Sequence, residues 1–409
     1  MGVLLDVSPL RVSKPFARLW STGLVVSISS QMVQMALAYT LFASSGSSLA
    51  VGLLGLAIGV PTVVLSLAGG LLADFRSPRM IGIIGVAGQL SVTAAFAALS
   101  AAGRLEPPAI YALAAVQAGF GAITAPTRRP YLRTLLPKDK IPSAMSLYMF
   151  SMHAGLIAGP LFGGLFLDEA DLTVIFAIQL ATLSCYLVSV LSLPHVAPLA
   201  SGRAGLGAVR AGLRTAARLP PVRNALMIDV IMTVVALPVA LLPAFNEENL
   251  HGDAALYGSL LASISVGGIA ATLLSGKIAS IRRFGTALVL VASAWSALVA
   301  ALSFTTDANA AMAILFSIGF LDVWALTLQQ AIVQLHTPDE YLGRIGSIQN
   351  LVAMGGPQLG NFRAGAAGSI WSTQVAMATG AMASLVLLLV ASRSVVRADR
   401  RVSEEGLRG

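Results

Sequence analysis

The chain has 409 residues, of which 56% are hydrophobic, 39 are glycine and only 11% are charged. A soluble chain carries about 25% charged residues, so this one could not keep the surfaces of two or three soluble domains wet. A single cysteine, Cys185, and glycine without a triplet period exclude a disulfide scaffold and collagen. An integral membrane protein built of helices remains, because lipid offers the backbone no hydrogen-bond partners of its own.

A helix crossing a bilayer needs about 20 apolar residues. Residues 19–73 carry no charge, enough for two spans, with the serine- and glycine-rich run Ser44–Ser48 as the turn between them. Further uncharged stretches follow at 80–103, 107–127, 141–167, 172–202, 254–276, 284–306, 345–362 and 364–392. Two more are each interrupted by one acid: 224–246 by Asp229 and 308–338 by Asp322. The sequence thus predicts twelve transmembrane helices. The first apolar stretch is too long, and lacks the small-residue site, for a cleavable signal peptide.

Loops alternate sides, and 24 of the 26 lysines and arginines fall on one of them, the side shared by both termini. Only Arg104 and Arg363 fall on the other. The positive-inside rule then predicts cytoplasmic termini and reads the net charge of +8 as topology. No basic domain interleaved with aromatics is present to hold a nucleic acid strand.

Residues 194–223 form the one long polar connection. It divides a bundle at 1–193 from a bundle at 224–392, with a basic tail at 393–409. The halves repeat. At an offset of 206, Gly52 matches Gly258, Gly70 matches Gly276, Ala73 matches Ala279 and Arg76 matches Arg282. At an offset of 201, Pro137 matches Pro338, Ser146 matches Ser347, Gly155 matches Gly356, Gly159 matches Gly360 and Gly164 matches Gly365. The fold class expected is an all-α membrane protein, twelve transmembrane helices in two pseudo-symmetric six-helix bundles. Such internal repeats with a substrate path are a transporter arrangement.

The loop after the second predicted helix reads Gly69-Gly70-Leu71-Leu72-Ala73-Asp74-Phe75-Arg76-Ser77-Pro78-Arg79. An acid here can cap a facing helix N-terminus. This loop resembles the Gly-x-x-x-Asp-x-x-x-Arg type motif of the major facilitator superfamily, with Ser77 and Pro78 where glycine and a base are usual. The resemblance implies a gating role for Gly70, Asp74 and Arg79. In the fifth helix, Gly155, Gly159 and Gly163 share one face, which allows close helix contact, and Pro160 bends the helix. The string from Gly155 through Pro160 to Gly164 is similar to the antiporter signature of exporting members, which extends the gating set to these residues. The fourth helix has Ala114 to Ala118, with Gln117, where drug–proton antiporters carry an arginine. Thr337-Pro338-Asp339-Glu340-Tyr341-Leu342-Gly343-Arg344 resembles the enterobactin exporter subfamily ahead of its eleventh helix. Pro338 and the two acids also make a good helix start, and Arg344 joins the gating set. Val51-Gly52-Leu53, Leu219-Pro220-Pro221-Val222 and Ser275-Gly276-Lys277-Ile278-Ala279 extend this likeness. A sister group of multidrug pumps shares much of it.

A carboxylate near the bilayer midplane costs at least about 2.5–3.5 kcal/mol unless it is protonated or solvated by a cavity. Asp322 sits there and is the expected carrier of a coupling proton, with an interhelical hydrogen bond as the plain alternative. Asp229, about one turn inside its helix, ranks below it, and His153 could titrate near neutrality. Gln31, Gln34, Tyr39, Gln117, Trp324, Gln349 and Asn350 are candidate cavity residues for an organic substrate, each equally able to tie helices together. The visible midplane charge is negative, so a siderophore-like substrate rests on the resemblance, and a cationic or neutral drug is the alternative.

No nucleotide-binding loop is present, since Gly276-Lys277 is followed by Ile278. No zinc spacing exists among four histidines and one cysteine. No cofactor and no enzymatic activity are expected. The expected partners are a small molecule, protons and the lipid bilayer, with the chain monomeric in a bacterial inner membrane.

Overall fold

The structure, a computed structural model, describes residues 6–75, 77–169, 171–194, 206–274, 276, 281 and 283–405; of these, the side chains of 67–75, 126, 128, 129, 206–211 and 396–405 are outside the description. Every regular element among the described residues is helical. The long ones are α1 (Lys14–Ser45), α2 (Ser48–Phe75), α3 (Pro78–Ala101), α4 (Pro107–Thr124), α5 (Ile141–Glu169) and α6 (Leu172–Leu191). After them, α7 opens as Pro220–Val230, passes through a π-helical stretch Ile231–Ala236 and ends as Leu242–Leu250. Then come α8 (Ala254–Leu273), α9 (Phe284–Ser303), α10 (Ala308–His336), α11 (Asp339–Ile370) and α12 (Thr373–Glu405). Ten of these stretches are long and apolar enough to cross a membrane. The 18-residue α4 and the more polar α11 complete the twelve.

Several helix ends fall where the residues predict. Gly46 takes the left-handed conformation (φ 60°) that ends α1, and its N–H donates to the Phe42 carbonyl. Asp339 and Glu340 open α11 behind Pro338. Other places differ. Arg363, read from its charge as an outer loop residue, lies inside α11, and the turn follows at Trp371. The central connection contains a helix, Leu206–Arg218. Its Ala216 is buried with Val222, Leu226, Val333, Ile345 and Ile348. The basic tail continues α12 as far as Glu405.

Two compact units form: Met1–Thr40, Ala57–Arg203 and Asp253–Ala262 make one, and Leu41–Leu56, Ala204–Gly252 and Ser263–Gly409 make the other. Each therefore takes in a helix end from the opposite half of the sequence. In lipid, helix association depends on close packing more than on apolar burial, and the repeated glycines provide it. In unit 1, a Cβ on Gly258 would strike the Pro160 carbonyl, with the Gly164 Cα 3.5 Å away. In unit 2, the matching Gly52 would meet the Asn361 carbonyl at 2.9 Å and the Gly365 Cα at 3.2 Å. The repeat seen in the sequence thus returns as a repeat of contacts. Asp168, the penultimate residue of α5, accepts hydrogen bonds from the Ala254 and Ala255 amides (3.2 and 2.8 Å) and caps the first turn of α8.

Candidate substrate cavity and buried polar residues

On α1, Gly23, Ser27, Ser30 and Gln34 recur every three or four residues and so share one face with Gln31 beside them. That face borders a cavity of about 410 Å³ within unit 1, within the usual size range of ligand sites. Gly82, Val86 and Gln89 of α3, Tyr148, Met149 and Met152 of α5, and Leu183, Tyr186 and Val190 of α6 complete much of the wall. Gly159 lets α1 and α5 approach, since a Cβ there would run into Gln31. Trp20 is fixed at the wall by donating its indole N–H to the Leu147 carbonyl (3.0 Å). Tyr131, on the helix Arg128–Leu135, is 3% exposed among Leu19, Val86, Leu183 and Val190. Its hydroxyl is buried without a hydrogen-bond partner. Desolvation pushes its phenol up to about 12, so it stays neutral at physiological pH.

The sequence singled out Gln31 and Gln34 for such a cavity, and both line it. It did not single out Trp20, Gln89, Tyr131, Tyr148 or Tyr186. For Trp20, Gln89, Tyr148 and Tyr186 the signal available was a polar or aromatic side chain within a long apolar helix; Tyr131, on a short helix with three arginines, carried none. Gln117 sits elsewhere, in a polar chain between helices. It donates to the Thr93 hydroxyl (3.3 Å), which donates to the Gln89 carbonyl (2.9 Å). Tyr39 stacks on Tyr257 with ring centroids 5.9 Å apart. His153 is half-buried, next to Met152 of the wall.

In unit 2, Ala311, Leu315, Ile318, Ala325, Gln329 and Ile332 form a buried stripe on α10. Asp322 falls on the same stripe by spacing, yet its side chain is exposed. The stripe therefore opens at Asp322. A carboxylate on the protein-facing side of a span is tolerable where the opening is watered. Gln329, two turns further on, donates to the half-buried Asp229 carboxylate (2.9 Å) and joins α10 to α7. Asp229 is close enough to Asp322 for their charges to interact.

The sequence reading placed Arg363 in a loop; the structure places it within α11. Its Nε donates to the Val234 carbonyl (2.9 Å) in the π-helical stretch of α7. Trp324 donates to the Ala271 carbonyl (3.3 Å) and packs on Phe320. Gln349 is half-buried and Asn350 exposed on α11.

Of the gating residues, Gly155, Gly159 and Gly163 press on α1 at Ser27, Gln31 and Met32, and Gly164 presses on Ala254 and Ala255. Arg79 donates through Nη2 to the carbonyl of Leu191, the last residue of α6, where a cation also suits the helix dipole. Arg344 is exposed, 5.6 Å from the centre of the Tyr341 ring. Gly70 and Asp74 lie in α2, in the part 67–75 whose side chains are outside the description.

Similar proteins place this architecture. The chain is 26% identical to the enterobactin exporter EntS of Escherichia coli O1:K1 / APEC over 394 residues, 94% of this chain and 92% of that one. It is 25% identical to the enterobactin exporter EntS of Shigella boydii serotype 18, with the same coverage. Among solved structures, a bacterial homolog of the human lysosomal transporter Spinster superposes with a TM-score of 0.72 at 14% identity, covering 95% of this chain and 96% of that one. The nucleoside transporter NupG does so with a TM-score of 0.70 at 14% identity, covering 94% and 98%. Such identities show the fold. The transmembrane secretion effector family matches residues 6–405, and the chain belongs to that family of the major facilitator superfamily.

Proposed function

We propose that the protein is a secondary active exporter that moves a small amphipathic, siderophore-like compound out of the cytoplasm by alternating access in exchange for protons. The observation that carries this reading is the full-length match to a secretion family together with relatives named as enterobactin exporters. The bundle boundaries at 193 and 224 follow from the sequence repeat, and the distribution of basic residues favours a bacterial inner-membrane protein with both termini cytoplasmic. Asp322 carries the coupling proton, assisted by Asp229, with His153 a further candidate. Support comes from the opening at Asp322 and from the repulsion the two carboxylates feel when both are ionised. The glycines of α5, with Gly70, Asp74, Arg79 and Arg344, serve gating. The close seating of Gly164 on α8 supports that role for α5. The protein acts as a monomer and without a cofactor.

Deleting the gene and measuring siderophore secreted under iron limitation tests the substrate. Reduced secretion is the expected result. Unchanged secretion with drug hypersensitivity would favour the second reading, multidrug efflux, which the negative charge of Asp322 and Asp229 also suits.

A further inference from the structure

We infer that Asp168 latches the end of the protein opposite the basic loops: its carboxylate, seated on the first turn of α8, holds α5 and α8 together, and transport requires that contact to part. This rests on the proposed alternating access and names a residue that keeps one gate shut. Asp168 accepts from the Ala254 and Ala255 amides across a seam, since α5 and α8 come from opposite halves of the sequence.

The first turn of α8 has a cap of its own. Asp253, the residue before it, accepts from the Leu256 amide (2.8 Å) through its side chain and from the Tyr257 amide (3.2 Å) through its carbonyl. Asp168 therefore adds a tie to another helix. Behind it the two backbones touch. A Cβ on Gly164 would run into the Ala254 carbonyl, and one on Gly258 into that of Pro160. Tyr257, 2% exposed, stacks on Tyr39 of α1. Residues 253–262 thus pack in unit 1, while α8 from Ser263 onward belongs to unit 2. A movement of one half of the sequence on the other has to act on this seam.

The pseudo-symmetric counterpart isolates what Asp168 contributes. Offsets of 201 and 206 carry Gly164 to Gly365 and Gly258 to Gly52, and a Cβ on Gly365 would likewise meet the Ser48 carbonyl and the Gly52 Cα. The same offsets carry Asp168 to Ser369 and Ala254 to Ser48. Ser369 donates its hydroxyl to the Ala366 carbonyl of its own helix (2.9 Å) and brings no charge to α2. The α2–α11 seam has the glycine packing without the carboxylate. A carboxylate at a helix N-terminus gains from charge-assisted hydrogen bonds and from the helix dipole, and the dipole's pull falls away within about one turn. The Asp168 side chain is exposed, so water takes over its acceptors when the helices part. Such a contact gives way over a short movement and re-forms, as a cycling gate needs.

The test uses the full chain in nanodiscs, in a Cys185→Ser background, with spin labels at Arg104→Cys and Glu248→Cys, two exposed positions at the same end. Pulsed electron–electron resonance reads closed and open populations as two distances. Asp168→Ala removes both acceptors and should raise the open-to-closed ratio about 2–30-fold, the range a lost helix cap spans. Asp168→Asn, which keeps one acceptor and loses the charge, should raise it less. Asp168→Glu keeps the carboxylate and should raise it least. An unchanged ratio in Asp168→Ala overturns the inference, as does a single distance population shared by the wild type and all three variants. A rise in Asp168→Glu as large as in Asp168→Ala also overturns it, because the carboxylate would then not be what holds the seam. Flux in reconstituted vesicles is scored separately: absent flux in the wild type defeats the alternating-access reading, whereas flux with an unshifted ratio in Asp168→Ala defeats the latch alone.

Discussion

Arg363 of α11 donates its Nε hydrogen to the Val234 carbonyl of α7. In α-helical register that carbonyl would receive the N–H of residue 238, a proline that has none, and in the π-helical register of this stretch that of residue 239, which lies beyond the break. The chain breaks beyond Ala236, with Leu237 at φ −58°, ψ 119°. Arg363 therefore satisfies a carbonyl that the break at Leu237 and Pro238 leaves free among packed helices, where an unpaired group is costly.

Arg363→Met should cost about 1–3 kcal/mol in unfolding free energy, the penalty of a buried unsatisfied acceptor. Arg363→Gln retains an N–H donor and should cost less. In a Pro238→Ala background the carbonyl regains a backbone partner, so Arg363→Met should lose much of its effect. Denaturant unfolding of the four variants gives the coupling directly; equal costs in both backgrounds would contradict the assignment.

Gly159→Ala should destabilise by about 1–3 kcal/mol, because the added methyl meets Gln31 and, at 2.8 Å, the Ile28 carbonyl. Gly343→Ala is the control. Nothing lies within 4 Å of its Cβ position, and α11 should gain about 0.5–1 kcal/mol. Thermal unfolding of both proteins in one detergent reads the contrast, and a similar shift in both would reject the close-packing argument.

How far the sequence was legible depends on what marks a position. Glycines that need close approach were visible as pairs at fixed offsets, and Gly52·Gly365 and Gly258·Gly164 meet in contact. Helix ends written in turn residues, such as Gly46 and Pro338, were visible too. Arg363 was misplaced because a charge in an apolar run reads as a loop, and its acceptor exists only through tertiary packing. The break in α7 was marked by Pro238, but the length of the stretch around it, 224–246, reads as one span. Tyr131 was hidden because it follows two arginines that dominate the reading of its segment. Asp322 was visible as an acid in a span, but its exposure depends on how neighbouring helices leave room around it.

Asp168→Ala removes both acceptors from the first turn of α8 and should cost about 0.5–2 kcal/mol. Asp168→Asn keeps one amide oxygen and should fall between the two. Hydrogen exchange of the Ala254 and Ala255 amides checks this, with faster exchange in Asp168→Ala. Unchanged exchange there would mean the cap is idle.

Asp6 receives the Ser143 hydroxyl (2.7 Å) and then the Ser8 amide and hydroxyl, which lower it from 3.8 to about 2. Because its folded value is depressed, its contribution is present above about pH 4 and fades as pH falls toward 2. In Ser143→Ala the carboxylate midpoint should rise toward 3.8 while the Ser8 bonds remain. Carbon-13 titration of the Asp6 carboxylate measures it, and a midpoint indifferent to Ser143 would contradict the contact.

The central claim is proton-driven export, and flux in reconstituted vesicles tests it most directly. Proteoliposomes are loaded with a labelled metal-free catechol siderophore and placed in external buffer more acidic than the lumen. Release is then compared for the wild type and Asp322→Asn, counting only molecules whose cytoplasmic face is inside. Faster release with the gradient than without it, lost in Asp322→Asn at unchanged protein incorporation, is the predicted result. Release no faster than from protein-free liposomes, or gradient-driven release undiminished in Asp322→Asn, would contradict the account.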